Sequence, residues 1–184
     1  MRVLAICGSL QAESKNLALL TAAARLAPPG VELVLFDGLR DLPHFNPDVE
    51  ADGAPESVLR LRTALAESDA VLIASPEYGF SLPGVLKNAI DWVIGSGQLE
   101  GKLVAITAAV PEPERGHRGL RALRDTLSAV RATIVGGEPI PTGLAFDRQV
   151  TELVRGLVEA KCQTERVVNR EPTPGEVQEL ENRR

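Results

Sequence analysis

Two short segments of this 184-residue chain gather side chains that could do chemistry. The first is Gly8-Ser9-Leu10-Gln11-Ala12-Glu13-Ser14-Lys15-Asn16. It follows the apolar run 2–7 (RVLAIC) and precedes Leu17, Leu20 and Ala24 at helical spacing. A helix N-terminus offers unpaired N–H groups and a partial positive charge, which suits a phosphate. Ser9 and Ser14 add hydroxyls, Asn16 an amide and Lys15 a full charge, while Gly8 lets the backbone turn tightly. The same residues also make an ordinary helix start, with Ser14 as N-cap. Neither GxGxxG nor GxxxxGK[ST] is present, so a dinucleotide fingerprint and a P-loop are both absent.

The second segment is 75–92, SPEYGFSLPGVLKNAIDW. The chain has six aromatic residues (four Phe, one Trp, one Tyr), and Tyr78, Phe80 and Trp92 fall here together. Pro76 fixes one backbone angle, and Gly79 permits close approach of a flat ligand. Backbone amides here could meet the polar edge of a heteroaromatic ring with Tyr78 packed beside it. Trp92 reads as core with a share at a subunit interface. Phe80 reads as bordering a pocket or a neighbouring subunit.

Other reactive side chains find no partners by spacing. His44 and His117 have no Ser or Cys at triad distance in sequence. Cys7 and Cys162 form no CxxC and are expected as small buried apolar residues. No metal site is expected. Arg115, Arg118 and Arg121 cluster near His117; they could attract nucleotide phosphates, but a solvated helix face is the favoured reading.

The elements that must position these residues follow from periodicity. Strands are expected at 2–7, 31–36, 70–74, 102–107 and 132–135. Helices are expected over 15–27, 55–68 and 83–94, around Leu120–Val130, and around Val150–Val158, with 37–54 a loop. Strands without polar interruption alternating with amphipathic helices mean a parallel sheet covered on both faces. Five strands favour the doubly wound order 2-1-3-4-5, whose switch point lies between strands 1 and 3. The loops after Cys7 and Ala74 should therefore form the site. One domain over 1–169 and a polar tail over 170–184 are expected.

Composition closes off several classes. Twenty Lys and Arg against 25 Asp and Glu give a charge of −5, too acidic for a nucleic-acid binder. No apolar run approaches the roughly 20 residues that cross a bilayer. The N-terminus shows no signal-peptide pattern, so a cytoplasmic protein is expected.

Taken together, the two loops resemble a known pattern. GSLQAESKN is similar to the GSLRxxSxN phosphate loop of the NADPH-dependent FMN reductase family, and PEYGFSLPGVLKNAIDW to that family's PEYNxSxPGxLKNAIDW segment. The resemblance runs from residue 2 to about 135. It implies an α/β flavodoxin-like three-layer sandwich, non-covalent FMN, and a homodimer or homotetramer. It also implies oxidation of NAD(P)H as co-substrate, with electrons passed to free flavin, a quinone, an azo compound or an oxidised metal ion. By the same resemblance Ser9, Ser14 and Asn16 hold the FMN phosphate, with Lys15 adding charge where Gln11 replaces the family's Arg. Pro76, Glu77, Tyr78 and Gly79 line the isoalloxazine, and a third contact comes from the loop after the fourth strand, Thr107-Ala108-Ala109 onward. Gly79 replaces the family's Asn, and loop 110–119 lacks its paired glycines. No general acid or base is nominated, because the flavin carries the hydride chemistry. Two rivals stand beside this reading. One is a flavodoxin-type electron carrier, which the mild charge and the single nearby Tyr disfavour. The other is an interaction module without flavin, which Gln11 and Gly79 keep open.

Overall fold

Strands β1 (Arg2–Cys7), β2 (Glu32–Phe36), β3 (Ala70–Ala74), β4 (Leu103–Val110) and β5 (Thr133–Pro141) lie side by side as one parallel sheet, in the order β2-β1-β3-β4-β5. This computed structural model describes residues 1–168; the expected tail over 170–184 lies outside the described residues. Every residue of β3 and β4 is buried, as strands covered on both faces must be. Side chains alternate between two cores. Leu4, Ile6, Val71, Ile73, Val104 and Ile106 face one, which is covered by α3 (Glu56–Ala66), α4 (Gly84–Ile94) and α5 (His117–Ala129). Val3, Ala5, Cys7, Leu72, Ala74 and Ala105 face the other, under α1 (Lys15–Leu26) and α6 (Phe146–Val168). Leu19, Leu72 and Leu157 are fully buried there.

Several sequence expectations are corrected. β4 continues past residue 107 to Val110, and β5 past 135 to Pro141. Gly136, Gly137, Pro139 and Pro141 read as strand breakers, yet the strand survives them. A register shift opposite Ile106/Ala108 absorbs the two glycines, and Thr107 Oγ1 donates to Glu138 O across it at 2.9 Å. The prolines are tolerated because β5 is an edge strand.

Segment 37–54 is not a plain loop. It holds a 3-10 turn over Gly38–Asp41 and a short α2 (Pro47–Ala51), capped by the Asn46 side chain accepting from Asp48 N at 2.9 Å. Two residues of α4 pin it. Asn88 donates to Pro43 O (2.9 Å) and accepts from Phe45 N (2.8 Å), and Trp92 Nε1 donates to the same Pro43 O at 2.7 Å. Trp92 has no exposed surface and meets Phe45 edge-on at 5.1 Å, so its burial is entirely intramolecular and leaves no share for an interface. Cys7 is buried as expected, but Cys162 is exposed on α6.

Candidate cofactor site

In-register pairing of β1 and β3 sets Cys7 opposite Ala74, so the loops that leave these strands start side by side. The ladder runs one step further: Gly8 N donates to Ala74 O at 2.9 Å, and Ser75 N to Thr107 O at 2.9 Å. A side chain at Gly8 would meet Ser75 Oγ at 3.0 Å and Leu86 Cδ2 at 3.3 Å. Glycine suits this close approach of the second loop, since a larger residue would have to push Ser75 and Leu86 aside by a few tenths of an ångström. Further out, Ser9 Oγ and Tyr78 OH are 3.5 Å apart, across 69 residues of sequence.

The first loop is a row of unpaired donors. Among the described residues, the amides of 9–16 find one partner: Gln11 N donates to the Ser9 hydroxyl at 3.3 Å. Ser14 is the N-cap of α1, its Oγ accepting from Leu17 N at 3.4 Å. Asn16 is 4% exposed, and its Oδ1 accepts from Ala109 N at 2.9 Å, which ties the first loop to the end of β4. Its Nδ2 has no partner among the described residues yet is not sealed in, since no buried side-chain N or O atom there lacks one. Lys15 and Gln11 are exposed. Unpaired amides at a helix start, two hydroxyls, an amide and an ammonium form a donor set that fits the phosphoryl end of FMN.

The second loop is a two-residue hairpin. Tyr78 and Ser81 exchange backbone hydrogen bonds at 3.0 Å in both directions, with Gly79 (φ 56°) and Phe80 (φ 63°) at the tip. Positive φ at both central residues is the type I′ turn, which favours Asn or Gly at the first position. Position 79 therefore carries a backbone requirement, which Gly meets without strain. Phe80 holds the left-handed conformation as a bulky residue, which is uncommon. It is 67% exposed, with the Arg118 guanidinium 4.3 Å from its ring centre. Tyr78 is 53% exposed beside it.

Glu77 has a task that spacing did not reveal. Its Oε2 accepts from Gly119 N at 2.8 Å. Helix α5 starts after Gly116, which has no side chain to cap it, so Glu77 supplies the missing carboxylate from another loop.

The expected residues thus fall at one end of the sheet, with two adjustments. Thr107, Ala108 and Ala109 belong to β4, and the loop starts at Pro111; the Ala108 side chain is 1% exposed in the core. Arg118 stacks on Phe80 instead of standing on a purely solvated face. Sequence reasoning missed Arg40, whose Nη2 reaches Leu10 O at 3.5 Å from 30 residues away. Nothing local in the sequence marks that contact, because the folding of segment 37–54 creates it.

Comparison with known proteins supplies the family. The family model for NADPH-dependent FMN reductase matches residues 1–144. An NAD(P)H-dependent FMN reductase of Pseudomonas aeruginosa is 42% identical over 129 residues, covering 69% of each chain. A quinone reductase of Pseudomonas putida is 38% identical over 128 residues, covering 68% of each. The solved structure of FerB, a flavoenzyme NAD(P)H:(acceptor) oxidoreductase from Paracoccus denitrificans, superposes with a TM-score of 0.78 at 30% identity, covering 88% of this chain and 97% of that one. Spanning most of the two loops' host fold and both loops themselves, these matches place the chain in the NADPH-dependent FMN reductase family.

Proposed function

We propose that the two loops form one FMN site that serves a flat small-molecule acceptor. The chain is an FMN-dependent NAD(P)H oxidoreductase. In our reading the unpaired amides of 9–16, the Ser9 and Ser14 hydroxyls and Asn16 Nδ2 bind the phosphate. The 76–79 backbone and Tyr78 border the isoalloxazine. The observation that carries this reading is the approach of Ser9 and Tyr78 at the switch point, which joins the donor-rich loop to the aromatic one. Bound flavin supplies hydride and electron chemistry, so the chain's part is to bind and orient. Asn16 holds the first loop against β4, and Glu77 holds the second against α5. Tyr78 and Phe80 leave a broad open edge on which a nicotinamide or a flat acceptor can stack. Quinones and free flavin are the acceptors we favour, on the strength of the relatives' activities. Self-association as a dimer or tetramer is supported by the half-exposed Leu59 and Ile94 on α3 and α4. A cytoplasmic setting is supported by the two unpaired thiols.

The test is anaerobic. Protein loaded with FMN should bleach on NADPH or NADH addition and recolour with benzoquinone. Bound flavin that no nicotinamide nucleotide reduces would point to an electron carrier, and no flavin uptake at micromolar concentrations to an interaction module.

A further inference from the structure

The phosphate loop is short of charge. Residues 8–16 carry one cation, the exposed Lys15, and one anion, Glu13. A phosphate monoester near neutral pH carries about two negative charges. A loop that is electrically neutral must draw its attraction from dipoles alone, or from a cation supplied elsewhere.

Arg40 is that cation by position. It sits on the 3-10 turn Gly38–Asp41, whose Leu39 is 4% exposed and anchors the turn in the core. Its Nη2 donates to Leu10 O at 3.5 Å, which lays the guanidinium against the loop itself. Arg40, Ser9, Leu10 and Gln11 line one cleft of about 140 Å³, floored by Cys7 and Leu17. Its charge is also uncommitted. Asp37, in the same cleft, pairs with Arg60 at 3.4 Å, and no ion pair among the described residues includes Arg40, Asp41 or Glu13. A guanidinium has five N–H donors in a fixed fork, so one bond to Leu10 O leaves the others for an anion.

We propose that Arg40 is the phosphate-binding arginine of this chain, reaching the 9–16 loop from the segment after β2 and filling the charge role that Gln11 lacks. The proposal rests on the reading that FMN binds with its phosphate at this loop. An arginine at position 11 would ride on an exposed loop. Arg40 is also exposed, but its backbone rides on a turn pinned by core packing, so the base of its side chain is held before the ligand arrives.

Flavin titration of the full-length apoprotein, followed by fluorescence quenching, tests this. Riboflavin, which lacks the phosphate, is the control ligand. Arg40→Ala should weaken FMN roughly 10- to 100-fold and leave riboflavin unchanged. Arg40→Lys should recover part of the loss, since it keeps the charge without the fork. Gln11→Arg in the Arg40→Ala background should also restore FMN binding. The wild type should lose FMN affinity with added salt more steeply than Arg40→Ala does. Equal losses for FMN and riboflavin would mean that Arg40 only props the loop, and unchanged FMN affinity would mean that it does not touch the phosphate; either overturns the proposal alone. A wild-type protein that takes up neither flavin would overturn the FMN reading and the proposal with it.

Discussion

Gly79 sits at the tip of the hairpin that carries Tyr78. As a residue with φ 56° in a two-residue turn it is a backbone requirement, and asparagine and glycine are the two residues that meet it at little cost. Gly79→Asn should therefore shift the urea unfolding midpoint negligibly, whereas Gly79→Val should cost about 1–2 kcal/mol. Ser14 and Asn16 were legible because capping and helix-start chemistry are local. That Asn16 spends its carbonyl oxygen on Ala109 was not, because the partner lies 93 residues away. Asn16→Asp should bind FMN at least tenfold more weakly in a flavin titration. It keeps the acceptor for Ala109 but replaces the donor with a charge that repels phosphate.

Elements were legible where apolar periodicity was strong and misjudged where glycine and proline punctuate a strand. β1, β3 and α4 were read almost to the residue. β5 was cut short because its second half holds two glycines and two prolines, and only the neighbouring β4 shows that the pairing continues. Helix α5 starts at His117, ahead of the apolar stripe from Leu120 that marks it in sequence, and its cap is invisible locally since Glu77 belongs to another loop. Glu77→Ala should cost roughly 0.5–2 kcal/mol in urea unfolding and speed hydrogen exchange at the amides of Gly119 and Leu120. Glu77→Gln, which keeps an acceptor oxygen, should retain most of the protection. The same reasoning makes Asn88 a positioning residue of the 37–54 segment. Asn88→Ala removes both its bonds to the 43–45 backbone, and protease cleavage within that segment should accelerate while the far side of the sheet stays protected.

At the scale of the molecule, topology was the most legible feature, because alternation of buried strands and amphipathic helices leaves few chain paths. The switch point followed from it and correctly named the two loops that meet. Leu72, fully buried at the centre of β3, should cost about 2–5 kcal/mol when cut to Ala, a large part of the roughly 5–15 kcal/mol typical of a whole domain. The far end of the sheet carries a pH signature. Burial, with Lys161 nearby, pushes Lys102 below the ordinary lysine range, against the pull of Asp69. Between that lowered pKa and about 10.4 the unfolded chain binds more protons than the folded one, so this group's contribution to stability rises with pH across that window. Lys102→Met should flatten that rise in urea unfolding measured at successive alkaline pH values. Finally, the two prolines of β5 decide how copies of this chain can meet. Thr142 N points inward to Val110 O at 2.8 Å, so by alternation positions 139 and 141 face outward, where an ordinary residue would offer an N–H to solvent. Proline has none. The second half of the β5 margin thus lacks donors at two positions where a sixth strand would pair, which blunts that stretch of edge against edge-to-edge growth.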